Sequence, residues 1–145
     1  MVPDDIEGIA ACFSPGVGQI SGFEADCVSR GMKGFLADGS VKGPAQSDAG
    51  LQFLKKHVGL ITNGTTMDDW MNASHTRQNS DLMLQMDIEG CEWLALANMS
   101  GPLLQRCRIL QERFPTLLTR SKPPPQVRTL PEPFPRTFNR FNPVE

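Results

Sequence analysis

The chain has 145 residues, the length of one ordinary domain, and 39% of them are apolar. Its net charge of −2 gives no electrostatic basis for binding nucleic acid or an anionic membrane, and no apolar run approaches the length of a membrane span. Four scattered cysteines form no C-x-x-C pair, and the N-terminus lacks the basic region of a signal peptide. These features predict reduced, buried thiols in a cytoplasmic protein.

The first part of the chain alternates between strand and helix signals. Residues 6–13 are mostly small and apolar and predict a strand, which the turn residues 14–18 end abruptly. Ser21 and Glu24 have the spacing of a capping box, so we expect a helix that begins there. Gly31 stands where a helix is often closed by glycine.

A second strand is predicted at residues 35–37, and Asp38 stands at its end. Gly16 and Gly18 let the backbone of the preceding turn approach a ligand, and the helix behind them offers free N–H groups. An acid about twenty residues beyond such glycines can accept hydrogen bonds from ribose hydroxyls. The unit therefore predicts an adenosine-bearing cofactor, with a tight turn followed by a solvated aspartate as the alternative.

The segment after Asp38 carries weaker signals. The apolar residues within 51–58 predict a short helix, and residues 58–62 predict a strand that ends at an Asn-Gly turn. We expect His57 to be a cation at the end of that helix rather than a catalytic base. This segment should also contact an adenine, but no residue in it is a convincing candidate.

The next helix has a clear beginning. Thr66 and Asp69 have the spacing of a capping box, and Trp70 is expected to pack on the sheet rather than on a ligand. Residues 73–80 are polar and predict a linker, in which His75 should be exposed.

The most informative stretch follows this linker. Residues 82–86 form an apolar run broken only by Gln85, which fits a strand buried on both faces of a parallel sheet. Asp87 follows at once, at the end of the strand where open α/β sheets bind ligands. Glu89 and Glu92 come next, and both can equally be ordinary helix-start residues, because the helix dipole favours acids there.

The last third of the chain changes in composition. An apolar face is predicted on the helix after Glu92, formed by Trp93, Leu94, Ala97 and Met99. Pro102 marks the start of a further helix, and residues 107–112 predict a fifth strand. Repeated prolines then predict an extended, mobile tail at residues 121–145, behind a single domain at residues 1–120.

Two motifs resemble the FkbM-type S-adenosylmethionine-dependent methyltransferases. Residues 67–70 read Met-Asp-Asp-Trp, and residues 86–92 read Met-Asp-Ile-Glu-Gly-Cys-Glu. Members of that family typically show an L-D-D-W-like segment and then a strand that ends in K-[IM]-D-[IV]-E-G-x-E. Gln85 stands where the lysine is usual, and the resemblance covers roughly residues 8–118.

The resemblance implies an α/β fold with a mostly parallel, Rossmann-like methyltransferase sheet and S-adenosylmethionine as the cofactor. In relatives the glycine-rich turn, here Ser14, Gly16 and Gly18, holds the amino-acid portion of the methyl donor. The acid matching Asp38 holds its ribose, and the acid matching Asp87 lies near the sulfonium or the acceptor. Family members typically methylate a hydroxyl oxygen, often of a sugar or a polyketide-type product.

The resemblance implies that Asp87 and Glu89 act on the acceptor, one of them removing the hydroxyl proton while the acceptor is held near the methyl carbon. We predict no metal site, because a divalent ion shared by these two acids would need further oxygen ligands that the sequence does not identify.

The proline-rich tail stands where such a methyltransferase continues through a helix and a terminal antiparallel pair of strands. The resemblance therefore implies a sheet that lacks its last strands, in a member cut short or frame-altered after about Phe114. A homodimer or the tail would then cover the exposed edge.

Two other functions stay open. The first is an inactive Rossmann-like binding module that acts through a partner. The second is an NAD-binding unit, which is disfavoured because Ser21 stands in place of the third glycine of the dinucleotide pattern.

Overall fold

The computed structural model describes residues 5–18, 21–44, 46, 48–59, 62–112 and 137–140, which form an α/β fold. The strands are β1 (Ile9–Pro15), β2 (Lys33–Ala37), β3 (Leu51–Leu54), β4 (Asp81–Met86), β5 (Cys107–Glu112) and β6 (Thr137–Arg140). The helices are α1 (Gly22–Ser29), α2 (Met67–Ala73), α3 (Glu92–Ala97) and α4 (Gly101–Arg106).

The described strands form one open sheet in the order β3-β2-β1-β4-β5-β6, and every neighbouring pair is parallel. The chain builds outward from β1 to β3 and then returns to place β4 on the other side of β1. The order therefore reverses between β1 and β4, and open α/β sheets bind ligands at the carboxyl ends of strands beside such a reversal. The predicted parallel α/β sheet is confirmed, and its order is compatible with a Rossmann-like fold.

The buried run predicted at residues 82–86 is strand β4. Leu82, Met83, Leu84 and Met86 are completely buried because β4 pairs with β1 on one side and β5 on the other. The strand predicted at residues 107–112 is also confirmed as β5. These two strands place the acidic stretch after Met86 at the centre of the sheet.

Apolar side chains cover both faces of this sheet. On the face that carries α2, the ring of Phe13 stacks on Phe35 at a centroid distance of 4.8 Å, and Trp70 meets Phe13 edge-on at 5.4 Å. The position of Trp70 confirms that it packs on the sheet. A second cluster includes Cys12 of β1 and Cys27 of α1.

The helix ends follow the sequence signals in part. Thr66 caps α2, since its side-chain oxygen accepts a 3.0 Å hydrogen bond from the N–H of Asp69. Gly31 closes α1 with φ of +90°, a conformation that suits glycine. Ser21 is the N-cap residue of α1, but its hydroxyl makes no capping hydrogen bond, so the predicted capping bond of Ser21 is wrong.

The predicted helix at residues 51–58 is wrong, because residues 51–54 form β3. Pairing with β2 supplies backbone hydrogen bonds along the whole of residues 51–54, and this tertiary contact outweighs the local helix signal. A turn fixes its start: the carboxylate of Asp48 accepts a 2.8 Å bond from the N–H of Gly50. His57 is consequently not a helix-end cation. Of the predicted strand at 58–62, Val58 makes one bridge with Thr65 and residues 60 and 61 lie outside the described residues.

The predicted apolar face of α3 is wrong in its phase. Trp93 and Leu94 are 46% and 51% exposed, whereas Glu92 is only 4% exposed. The buried side of α3 carries Glu92, Ala95 and Leu96, and of the predicted face only Met99, two residues beyond the helix, is buried as expected. The helix therefore turns one acid inward and two large apolar side chains outward.

The structure also bears on the predictions for the cysteines, for His75 and for membrane-spanning helices. Cys12, Cys27 and Cys107 are free and buried as predicted, but Cys91 is exposed because it lies at the N-cap of α3, outside the packed face. His75 is exposed in the linker after α2, which confirms that prediction. None of the helices in the described ranges is long and apolar enough to span a bilayer.

Residues 137–140 of the predicted tail form β6, which pairs with β5 along the edge of the sheet. The remaining residues of the tail, and the predicted departure from the family near Phe114, lie outside the described residues.

Candidate functional site

The glycine-rich turn after β1 packs directly against the acidic loop after β4. Gly16 donates a 2.8 Å hydrogen bond to the carbonyl oxygen of Ala37, and Asp87 donates a 3.1 Å bond to the carbonyl oxygen of Pro15. Gly16 has φ of +78°, and a Cβ atom there would lie 1.9 Å from the carbonyl oxygen of Asp87. Only glycine fits at this position. These contacts of Gly16 and Asp87 join the carboxyl ends of β1, β2 and β4 at one rim of the sheet.

Asp38 ties the end of β2 to the same turn. One carboxylate oxygen accepts a 2.9 Å bond from the N–H of Gly18, and the other accepts bonds from the N–H and the hydroxyl of Ser40, at 2.7 and 2.6 Å. The glycine-rich turn and the acid twenty residues beyond it are therefore in direct contact, through the bond from Gly18 to Asp38.

The hydrogen bonds to Asp38 also lower the pKa of its carboxyl group. Burial raises the pKa of this carboxyl, but hydrogen bonds from Ser40, Gly18 and Val41 outweigh burial and hold the pKa below its ordinary value. Asp38 is therefore ionised at neutral pH. The Oδ1 atom already accepts both bonds from Ser40, so the Oδ2 atom, which accepts the bond from Gly18, is the oxygen at which a ligand hydroxyl can bind.

The acidic loop itself has an unusual backbone. Glu89 has φ of +50° and Gly90 has φ of +92°, and a left-handed conformation is uncommon for a residue such as glutamate. The side chain of Glu89 is exposed, and that of Asp87 is half-buried. Strained residues of this kind cluster at functional sites, which makes Glu89 a candidate with a structural reason.

Glu92 lies just behind this loop, at the first position of α3. It is buried, and its Oε1 atom has no hydrogen-bond partner among the described residues. A buried carboxyl oxygen without a partner is costly, although Glu92 also lies in the first turn of α3, as the helix-start interpretation expects.

Ser14 was expected to contact a cofactor, but the structure places it inside the sheet. It is completely buried, and its hydroxyl donates a 3.0 Å hydrogen bond to Oε1 of Gln85 on β4. Gln85 in turn lies beside Gln111 of β5 in the parallel register. Ser14 therefore joins strands, while Gly16, Gly18, Asp38, Asp87 and Glu89 lie along the rim.

His57 is a site residue that the sequence did not identify. Its ring lies against Gly39, directly after Asp38, because a Cβ atom at Gly39 would be 2.4 Å from Cδ2 of His57. The imidazole is exposed there. The sequence gives no sign of this position, because it predicts a helix over residues 51–58. Residues 51–54 instead form strand β3, and the chain beyond this strand brings His57 to the rim.

Among the described residues, no group of three or more histidine, cysteine, aspartate and glutamate side chains could hold a metal ion. The chemistry that these residues can offer is that of backbone N–H groups, one buried ionised carboxylate and two carboxylates on the facing loop. No protein-family model, no curated protein and no solved structure matches this chain.

Proposed function

We propose that the chain binds S-adenosylmethionine across the rim formed by β1, β2 and β4, and that it is an O-methyltransferase acting on a hydroxyl group of a small molecule or sugar. The observation that carries the proposal is the direct contact of three loops, in which Gly16 packs on Asp87 and Gly18 bonds to Asp38. The resemblance of residues 86–92 to the FkbM motif supports the same reaction class.

The residues present fit the ribose of this cofactor. Among the described residues, a Cβ atom at Gly18 would have no neighbour within 4 Å, so a ligand can approach the backbone there. Asp38 is ionised and fixed in position by its internal hydrogen bonds, so it is preorganised to accept bonds from ribose hydroxyls.

The acidic loop supplies the remaining chemistry in this proposal. S-adenosylmethionine, when bound, supplies a methyl carbon attached to a positively charged sulfur. The carboxylates of Asp87 and Glu89 stabilise that positive charge electrostatically. One of them also accepts the proton that the acceptor hydroxyl loses, and their loop orients the hydroxyl oxygen.

One observation favours the alternative of a binding module without catalytic activity. Both carboxylate oxygens of Asp38 are bonded within the protein, to Gly18 and Ser40, so this acid already has a structural role. A module of this kind would bind a nucleoside cofactor or none and would act through a partner.

Calorimetric titration of the full chain with S-adenosylmethionine and with NAD separates these functions. The proposal expects saturable binding of S-adenosylmethionine and none of NAD. Binding of NAD alone would replace the proposal with a dinucleotide site, and binding of neither would support the partner-dependent module.

A pair of aspartate variants tests the ribose role in the same titration. Asp38→Ala should weaken binding about tenfold, because a hydrogen bond to a charged group contributes roughly 1.5 kcal/mol. Asp48→Ala is the matched control, since Asp48 also accepts a backbone bond in a loop but lies before β3. Equal affinities of the two variants for S-adenosylmethionine would show that Asp38 does not bind the ribose.

A further inference from the structure

A cavity of about 360 Å³ lies between helix α2 and the edge strand β3. Its volume falls within the range of ordinary small-ligand pockets, roughly 300–1,000 Å³. It shares no lining residue with the rim described above, whose Gly16, Gly18, Asp38 and Asp87 belong to the loops after β1, β2 and β4. The cavity adjoins that rim, since Leu54, which lines the cavity, accepts a 3.1 Å hydrogen bond from the N–H of Asp38.

Three of the ten residues that line the cavity are aromatic. Phe35, Phe53 and Trp70 line it, and two of these rings belong to the packed core. Phe35 stacks on Phe13 at 4.8 Å, and Trp70 meets the same ring at 5.4 Å, so both are held from behind. A wall of fixed aromatic rings suits a planar apolar ligand, because the rings lose little freedom when the ligand binds.

Two charged side chains complete the lining, and they come from opposite walls. Lys56 follows β3, and Asp69 lies in the first turn of α2. Neither makes an ion pair within the part of the chain that the structure describes, where the salt bridges are Arg30–Asp26 and Arg108–Asp81. Both side chains are exposed, so their charged ends are free to meet a ligand.

We propose that this cavity binds a planar aromatic anion that carries a hydroxyl or amino group at its other end. The anionic group pairs with Lys56, the ring lies against Trp70 and Phe53, and the hydrogen-bond donor meets the carboxylate of Asp69, which only accepts hydrogen bonds when ionised. The cavity accommodates such a ligand whether or not the rim binds a nucleoside cofactor.

The test uses 6-hydroxy-2-naphthoate and the fluorescence of Trp70. The chain has two tryptophans, so Trp93→Phe leaves Trp70 as the one indole that reports on the cavity. The full chain with this substitution should show saturable quenching as the naphthoate is added. Quenching that rises linearly without saturation would overturn the proposal.

Variants of the two walls, made in the same background, decide whether the quenching comes from this cavity. Lys56→Met should weaken the naphthoate about tenfold, whereas Lys55→Met, a change to the neighbouring lysine that does not line the cavity, should alter affinity less than twofold. Equal effects of the two lysine substitutions would mean non-specific attraction and would overturn the proposal.

Two further variants test where the ligand ring lies and whether the ligand hydroxyl donates to Asp69. Ala73→Leu places a larger side chain in the cavity and should abolish saturable quenching while the circular dichroism spectrum stays unchanged. Asp69→Asn should reduce the preference for 6-hydroxy-2-naphthoate over 2-naphthoate, which lacks the hydroxyl. Unchanged quenching in Ala73→Leu, or an unchanged preference in Asp69→Asn, would contradict this mode of binding.

Discussion

Replacing Gly16 by alanine tests the contact that joins the glycine turn to the acidic loop. A left-handed conformation costs an alanine roughly 1–2 kcal/mol, and the φ of Gly16 is +78°. The new Cβ atom would also lie 1.9 Å from the carbonyl oxygen of Asp87, so the two loops must separate by roughly 1–1.5 Å. Overpacking of this kind typically costs about 1–3 kcal/mol. We therefore expect Gly16→Ala to lower the free energy of unfolding by about 2–5 kcal/mol.

Two other glycines provide matched controls. Gly18 also has positive φ, at +62°, but a Cβ atom there has no neighbour within 4 Å in the described part of the chain, so Gly18→Ala should cost only the backbone strain of about 1–2 kcal/mol. Gly22 lies in α1, where no described residue would come within 4 Å of a new Cβ atom, and Gly22→Ala should be neutral or slightly stabilising.

Thermal unfolding followed by circular dichroism measures these three glycine variants. One kcal/mol shifts the midpoint of a domain of this size by about 3 °C, so Gly16→Ala should lower Tm by roughly 6–15 °C and Gly18→Ala by about 3–6 °C. Equal shifts for Gly16→Ala and Gly18→Ala would refute the packing of Gly16 on Asp87.

Three further predictions follow from backbone strain and from titration. Glu89→Gly should raise the free energy of unfolding by up to about 1 kcal/mol, because it relieves the left-handed conformation at φ +50°, and should abolish any methyl transfer. His75→Gly, at φ +53° in the linker, is the matched control and should stabilise without affecting transfer; loss of activity in both would contradict a role for Glu89. Burial raises the pKa of Cys107 to about 12, so stability should fall as pH rises from 9 towards 12, by about 1.4 kcal/mol per pH unit. Cys107→Ala should make this loss less steep when unfolding by denaturant is measured from pH 9 to pH 12, and an unchanged pH dependence of stability would contradict the raised pKa of Cys107. Because the pKa of Asp38 is lowered, its stabilisation is present above its ordinary value of 3.8 and is lost as pH falls below it. The stability difference between the wild type and Asp38→Asn should therefore shrink below about pH 4, and a constant difference would contradict this.

Long apolar runs and spacing signals predicted the centre of the fold correctly. Strand β4 is predictable because an apolar run broken only by Gln85 and bounded by polar residues fits a strand buried on both faces. The link between Gly18 and Asp38 was also foreseeable, since the spacing places both at the carboxyl ends of adjacent strands. In both cases the local pattern and the tertiary contacts favour the same structure.

The alternation of side chains along β1 argues against Ser14 as a cofactor contact. Successive side chains of a strand point to opposite faces, so Phe13 on one face places Ser14 on the other. Ser14 accordingly turns towards Gln85 within the sheet.

The orientation of α3 could not be predicted from the identities of its residues. Trp93 is apolar and Glu92 is charged, yet the structure buries Glu92 and exposes Trp93. The direction in which the chain enters α3 depends on the left-handed conformations of Glu89 and Gly90, and a glutamate rarely adopts that conformation. Strand β3 was missed for a related reason, because four residues carry too little periodicity to separate strand from helix.

A crystal structure of the full chain with S-adenosylhomocysteine tests the central claim most directly. We expect the ribose hydroxyls within hydrogen-bond distance of the Asp38 carboxylate, and the sulfur at the rim where Gly16 packs on Asp87. A ligand bound away from this rim, or no density for it at saturating concentration, would contradict the account.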